Sequence, residues 1–309
     1  MIAVMRTSLS AAAFVTLLSA TSALAQAPTQ APAMPAEYSA ALKTLGKQGD
    51  FKDNVLKVNI PRNDLKVTVD GVATPTPLGF GGWVAFTKGT GGQDVMMGDL
   101  VVTEAEVNPV MSAVLDNGLE VTALHNHFLF DTPRIFYMHV HGHGPTADLA
   151  KRIQPAIALI GKGAAPAGGP AGRTITGNLD TQALARAIGT TGEQNGGVYK
   201  ITIGRSDLAI KEMGATINAR MGLNTWAAFY GSNTDAVVAG DVAMLAGEVQ
   251  PVLKALRSNG IDVVAIHHHM IGTSPEVYFL HYWGKGQAAK LAQGVKAAVD
   301  QLGKGHAGH

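Results

Sequence analysis

Polar and apolar residues alternate most cleanly in two stretches of the chain. The first runs Leu124-His125-Asn126-His127-Phe128 and resumes as Phe136-Tyr137-Met138-His139-Val140-His141-Gly142-His143. The second runs Ile266-His267-His268-His269-Met270 and resumes as Phe279-Leu280-His281-Tyr282-Trp283. Successive side chains of a strand point to opposite faces, so each stretch predicts a β-hairpin with one histidine face and one apolar face. A register centred on Pro133 sets His127 opposite His139 and His125 opposite His141. It also gathers Leu124, Phe128, Phe130, Phe136, Met138 and Val140 into a core-facing row, which a slip of one residue would expose. In the second stretch, with Pro275 midway, His269 pairs with His281 and His267 with Trp283. Opposed side chains have Cβ atoms about 4.5–5.5 Å apart, close enough for imidazoles to converge on one ion.

The pattern before the first hairpin predicts a helix from Tyr38 to Gly46 and strands from Val55 to Ile60 and Leu65 to Val69, turning at Pro61-Arg62-Asn63-Asp64. Strands follow from Gly82 to Thr87 and Val95 to Thr103, then a helix from Glu104 to Asp116 stopped by Asn117-Gly118. The hairpin strands are read as Leu119 to Phe130 and Arg134 to His141, and a helix from Thr146 to Ile160 closes the unit. All of this occurs twice. Arg62, Asp64, Leu65 and Trp83 match Arg205, Asp207, Leu208 and Trp226 at an offset of 143. Gly98, Glu106, Pro109, Asn117-Gly118 and the three histidines match their counterparts at 142.

These elements imply an α+β fold, an internal duplication of an antiparallel-sheet unit with helices on one face. Each repeat carries a ferredoxin-like β-α-β-β-α core. Repeat 1 spans residues 37–160 and repeat 2 residues 180–302, joined by a Gly/Ala/Pro-rich linker at 161–179. The histidines fall on the face away from the helices. In repeat 2 that face also carries Val263, Ala265, Val277 and Phe279, so it is expected to be covered, with the other repeat as the cover.

Residues 1–25 form a secretory signal, with Arg6, an apolar run from Leu9 to Ala20 and Ala23-Leu24-Ala25 before Gln26. A Pro/Ala-rich leader occupies residues 26–36, and a histidine-containing tail with His306 and His309 occupies 303–309. No later stretch is apolar enough to span a membrane after signal cleavage. Loss of Arg6 leaves 23 basic against 23 acidic residues, which gives no electrostatic case for nucleic acid. Cysteine is absent, which excludes disulfides, thiolate metal sites and cysteine nucleophiles.

A metal must therefore use His, Asp, Glu, Met or backbone oxygen. The primary candidates are His125, His127, His139, His267, His269 and His281, present in both repeats. His141, His143 and His268 are weaker, because Trp283, Lys285 and Asn126 stand at their counterparts. Glu106 and Glu248 are candidate fourth ligands or general bases, although Thr103-x-x-Glu106 also reads as a helix capping box. Arg62 with Asp64 and Arg205 with Asp207 read as turn-stabilising pairs, and Trp83 and Trp226 as core. Neither His125-Asn126-His127 nor Gly79-Phe80-Gly81-Gly82 has the context of the nuclease or dinucleotide motif its letters suggest.

The duplicated unit, with Leu124-His125-Asn126-His127 and Ala265-Ile266-His267-His268-His269 each leading into a Pro-containing hairpin, resembles the LppY/LpqO family of secreted bacterial proteins. The resemblance covers nearly the whole mature chain. It implies a repeated domain of unknown function and export, and supplies no reaction. The family's mycobacterial namesakes look like lipoproteins; this chain lacks the necessary cysteine, so the resemblance does not carry an anchored state over to it.

Three functional readings follow. The first is an exported, periplasmic or secreted metalloprotein whose three-histidine sites act as a metal-dependent enzyme, hydrolytic or redox, on a small-molecule substrate. Three imidazoles suit Zn or Cu, and an added carboxylate admits Mn or Fe. The second is a periplasmic copper/zinc-binding protein without catalysis. The third is a non-metal module binding a small molecule or partner between the repeats.

Overall fold

The computed structural model describes Met1 and residues 33–163 and 171–304. The expected signal beyond Met1, most of the leader, the middle of the linker and both tail histidines lie outside the described residues. Strands β1 (Asp50–Lys52), β2 (Val55–Pro61), β3 (Gly81–Thr87), β4 (Asp94–Thr103), β5 (Glu120–His125) and β6 (Ile135–Gly144) form one antiparallel sheet, ordered β1-β2-β3-β4-β6-β5. Repeat 2 builds the same sheet from β7 (Glu193–Asn195), β8 (Val198–Gly204), β9 (Asn224–Gly231), β10 (Ala236–Met244), β11 (Asp262–His267) and β12 (Tyr278–Gly286), ordered β7-β8-β9-β10-β12-β11. The helices are α1 (Ala36–Leu45), α2 (Glu104–Asp116), α3 (Thr146–Leu159), α4 (Thr181–Ile188), α5 (Ala246–Ser258) and α6 (Ala288–Val299). A mixed α/β architecture with antiparallel sheets, written twice, is what the periodicity predicts.

Strand alternation sorts the side chains into layers. Met96, Leu100, Val102, Met138 and Val140 pack with Val110, Val114, Leu149 and Ile153 of the helices. Each such buried aliphatic chain contributes about 1.5–3 kcal/mol. The opposite face of the same strands carries Val95, Met97, Val101 and Tyr137, which join clusters drawn from both repeats. The order of layers is thus helices, sheet, sheet, helices, with the histidines between the sheets. The linker is partly built into this arrangement, since Arg173 bridges to Val72 and pairs with Asp235, and Ile175 is buried between the sheets.

The hairpin departs from its expected register. His125 faces Tyr137 and Ala123 faces His139, while Glu120 faces His141; in repeat 2, His267 faces Phe279 and Ala265 faces His281. None of the four expected cross-strand histidine pairings occurs. Both edge strands are bulged, between Val121 and Ala123 and between Val263 and Ala265. Such a bulge bends the strand and re-aims its side chains. The strand also ends at His125 rather than Phe130. Asp131–Thr132 instead pairs with Val67–Val69, and the Asp131 carboxylate accepts the Ile135 N–H at 2.7 Å.

The expected apolar row is split accordingly. Phe136, Met138 and Val140 face the helices, Phe128 is buried between the sheets, and Leu124 and Phe130 are exposed. In repeat 2, Val277 and Phe279 lie between the sheets as expected, but the bulge turns Val263 toward the helix side.

Candidate metal centre

All six primary histidines are buried, and they meet at one place between the sheets. The counterparts His125 and His267 stack on each other with ring centroids 3.7 Å apart. On either side, His127 lies 3.6 Å from His281 and His139 lies 4.0 Å from His269. These two flanking pairs exchange under the repeat offset, so the cluster has the symmetry of the duplication. Ligand atoms within 4.8 Å of one another occur in His125, His127 and His281, in His125, His139 and His267, and in Asp241, His267 and His269. Each all-histidine group mixes repeats, whereas the sequence predicts a triad within one hairpin. The register shift is the cause, because His127 and His269 leave their strands and reach across to the other repeat.

Several rings are held in one tautomer. His281 Nδ1 lies 3.1 Å from the Gly240 carbonyl and His269 Nδ1 lies 3.1 Å from that of Gly222. His125 Nδ1 faces its neighbour's carbonyl at 3.4 Å, and His139 bonds the Gly98 carbonyl. A carbonyl only accepts, so each of these bonds is donated by the ring. In His125, His139 and His281 the other nitrogen, Nε2, is then a lone-pair acceptor, buried with no protein partner. Both ring nitrogens of His127 and His267 are likewise buried without a partner. Burial, reinforced by neighbouring imidazoles, pushes His125, His127, His139 and His267 well down from the ordinary imidazole value. Burial also lowers His281, against the pull of Asp241. These rings are neutral at pH 7, the form that binds metal.

Two carboxylates complete the cluster. Asp99 lies across from His139, and Asp241 across from His281, on the adjacent strands. Asp241 Oδ2 is 3.4 Å from His269 Nε2 and 4.0 Å from His281 Nε2, and Asp99 Oδ2 is 4.0 Å from His127 Nε2. Burial, then the charge of Asp241, pushes Asp99 up to about 8. Neither residue stands out from the sequence pattern alone. The signal available was an acid at the same mid-strand position of two largely apolar strands, directly after the matched glycines Gly98 and Gly240.

A cavity of about 510 Å³ opens onto the cluster, bordered by Asp99, Asp241, His127, His269 and His281. Trp83 and Trp226 line it with Lys57 and Lys200, whose Nζ atoms each sit 4.2 Å from the facing indole centroid. These tryptophans pack against the clusters between the sheets, in keeping with their reading as core, and also form walls of the cavity. Burial lowers Lys57 to about 7 and also depresses Lys200.

The model of a family described as Domain of Unknown Function (DUF1259) matches the chain over residues 39–159 and again over 182–301. The chain belongs to that family. No curated protein sequence matches it. Among solved structures, the trimeric bacterial microcompartment shell protein PduB is 12% identical, with a TM-score of 0.19 over 80% of this chain and 86% of that one. EtuB from Clostridium kluyveri is 9% identical, with a TM-score of 0.20 over 82% and 89% of the two chains. At such TM-scores neither likeness bears on fold or function.

The remaining candidates lie away from the centre of the two DUF1259 repeats. Glu106 receives Arg62 Nη1 at 2.6 Å and the N–H groups of Thr103 and Gly161, both at 2.8 Å. Glu248 receives Arg205 Nη1 at 2.9 Å and the N–H groups of Leu245 and Gly303 at 2.7 and 2.6 Å. Both carboxylates are spent on tying a helix start to the Arg-bearing turn, and neither borders the cavity. That corrects their reading as ligands or bases. His268 Nε2 lies 3.7 Å from Glu276, and the side chain is one-third exposed, outside every ligand group. His141 and His143 turn toward Glu212 of the other repeat.

Proposed function

We propose that this is an exported metalloprotein in which the histidine cluster between the repeats binds a divalent transition metal beside a substrate-sized cavity. The observation that carries this reading is the set of buried ring nitrogens with no protein partner. Leaving a buried polar group unsatisfied costs about 1–3 kcal/mol, and five clustered imidazoles repeat that cost. The carbonyl anchors of His125, His139 and His281 match the way proteins orient ligating histidines, with the free nitrogen presented inward. The all-histidine groups suit Zn or Cu, and Asp241 with His267 and His269 is a two-histidine, one-carboxylate set that suits Fe or Mn.

A metal held there supplies a Lewis acid or a redox centre. The cavity favours chemistry on a small molecule over simple metal storage. Trp83 and Trp226 offer flat walls to a ligand, while Lys57 and Lys200 bring donors to its rim. Whether the reaction is hydrolytic or redox depends on the metal. The resemblance to the LppY/LpqO family and the N-terminal signal pattern support export.

Metal analysis of untagged protein tests the proposal, with His281→Ala and His269→Ala as controls. About one or two equivalents of one metal bound centrally, lost in both variants, is the expected result. Wild-type protein without any centrally bound metal would leave a metal-free binding module as the better reading.

A further inference from the structure

We infer that His141, His143 and Glu212 form a second, peripheral metal site, distinct from the central cluster and present on one side of the molecule only. His143 Nε2 lies 2.7 Å from Glu212 Oε1, and His141 Nε2 lies 2.8 Å from the same oxygen. The two rings stand at 78° with centroids 4.5 Å apart, so they approach the carboxylate from different directions. Ligand atoms of all three residues fall within 4.8 Å of one another. His141 is only 3% exposed. Its Nε2 and Glu212 Oε2 are both buried without a hydrogen-bond partner, despite the short approach of His141 to Oε1. Two imidazoles and a carboxylate are a donor set that zinc uses when it keeps an open position.

Local geometry supports ligation on both sides of the trio. His141 Nδ1 lies 3.5 Å from the exposed Glu120 carboxylate, so the ring turns Nε2 toward Glu212. Glu212 ends the first strand of a short hairpin, where Met213 and Gly214 both take positive φ (46° and 79°) in the tight turn. That turn docks on repeat 1, where Thr90 donates to the Met213 carbonyl from its N–H at 2.8 Å and from its hydroxyl at 3.1 Å. The glutamate is therefore brought to the histidines by an anchored hairpin.

The duplication supplies an internal control. At the matching corner, Val69 stands for Glu212 and Trp283 for His141, and both belong to one buried apolar cluster. Lys285 stands for His143 and pairs with Asp70 at 2.6 Å. The fold thus closes this corner with an apolar pair and a surface ion pair. Nothing in the architecture demands a His-Glu-His trio around a buried imidazole on the other side, so its presence there points to a ligand. A metal at this position cross-links the repeats and holds the second hairpin against the first sheet.

The site is tested by zinc binding to untagged, metal-stripped full-length protein, read as bound equivalents and as the zinc-induced rise in melting temperature. His143→Lys copies the residue found at the matching corner, and Glu212→Ala is the second variant. Each is expected to lose about one equivalent relative to wild type, or to bind it at least about 100-fold more weakly, since even an outer-shell partner is worth 10–100-fold. His281→Ala, which disturbs only the central cluster, retains the peripheral zinc. An unchanged zinc count and an unchanged zinc-induced stabilisation in His143→Lys would overturn the proposal. If the central cluster binds no metal, wild type still takes one zinc that His143→Lys loses, so the two readings fail separately.

Discussion

Replacing Glu106 with alanine separates a structural carboxylate from a catalytic one. The side chain is 6% exposed and its partner Arg62 3%. Truncation removes the Arg62 contacts at 2.6 and 3.3 Å and leaves the Thr103 and Gly161 N–H groups without their acceptor. Breaking a buried ion pair from one side costs about 3–5 kcal/mol. Arg62 keeps Asp64 and the Val101 carbonyl, so the lower end, about 3 kcal/mol, is expected for Glu106→Ala. Glu106→Gln preserves an acceptor and should cost about 1–2 kcal/mol. For a domain of this size these values correspond to melting-temperature losses of roughly 6–12 °C and 2–8 °C.

The acid limb offers a second check. Burial opposes the Glu106 charge, but the Thr103 N–H, Arg62 and the Gly161 N–H more than offset it and hold its pKa below the ordinary 4.5. A depressed carboxylate contributes stability that is present above the unfolded value and lost as pH falls through the folded one. Wild type should therefore lose this contribution below about pH 4.5, and Glu106→Gln should show a shallower loss there. Urea unfolding across pH, with metal content measured in parallel, decides the matter. A Glu106→Ala protein as stable as wild type, or one of normal stability that has lost its central metal, would refute the reasoning.

Gly240→Ala should destabilise by about 1–3 kcal/mol or more, because its Cβ would lie 2.1 Å from the Tyr282 ring and 2.4 Å from the Trp226 carbonyl. Gly98→Ala should cost less, since two of its three close contacts are side-chain methyls; paired thermal melts give the order. Burial lowers Lys57 to about 7, so the unfolded chain binds its proton more tightly and stability rises with pH between about 7 and 10.5. Lys57→Met should flatten that rise in denaturant titrations. His268→Ala should leave metal content unchanged and cost no more than about 1 kcal/mol, as expected for a partly exposed side chain outside the cluster.

The duplication, the main strands and the helix over Glu104–Asp116 are legible in the chain because each rests on local periodicity and cap chemistry. The position of the histidines on the face away from the helices follows from the same alternation. Asp99 and Asp241 were equally visible as matched residues, but an acid in a largely apolar strand acquires meaning only when its neighbours across the sheet are known. The cross-strand partners were not legible. They depend on the bulges in the two edge strands and on the pairing of Asp131–Thr132 with Val67–Val69, a contact between segments more than sixty residues apart.

By itself, then, the sequence determined that two copies of one unit each present three imidazoles on a face that must be covered. Tertiary structure decided which ring meets which. It set His127 against His281 and His139 against His269, and it brought Glu212 to His141 and His143. Alternation along a strand is fixed by local backbone geometry, whereas the placement of one sheet over another is fixed by packing between residues far apart in the chain.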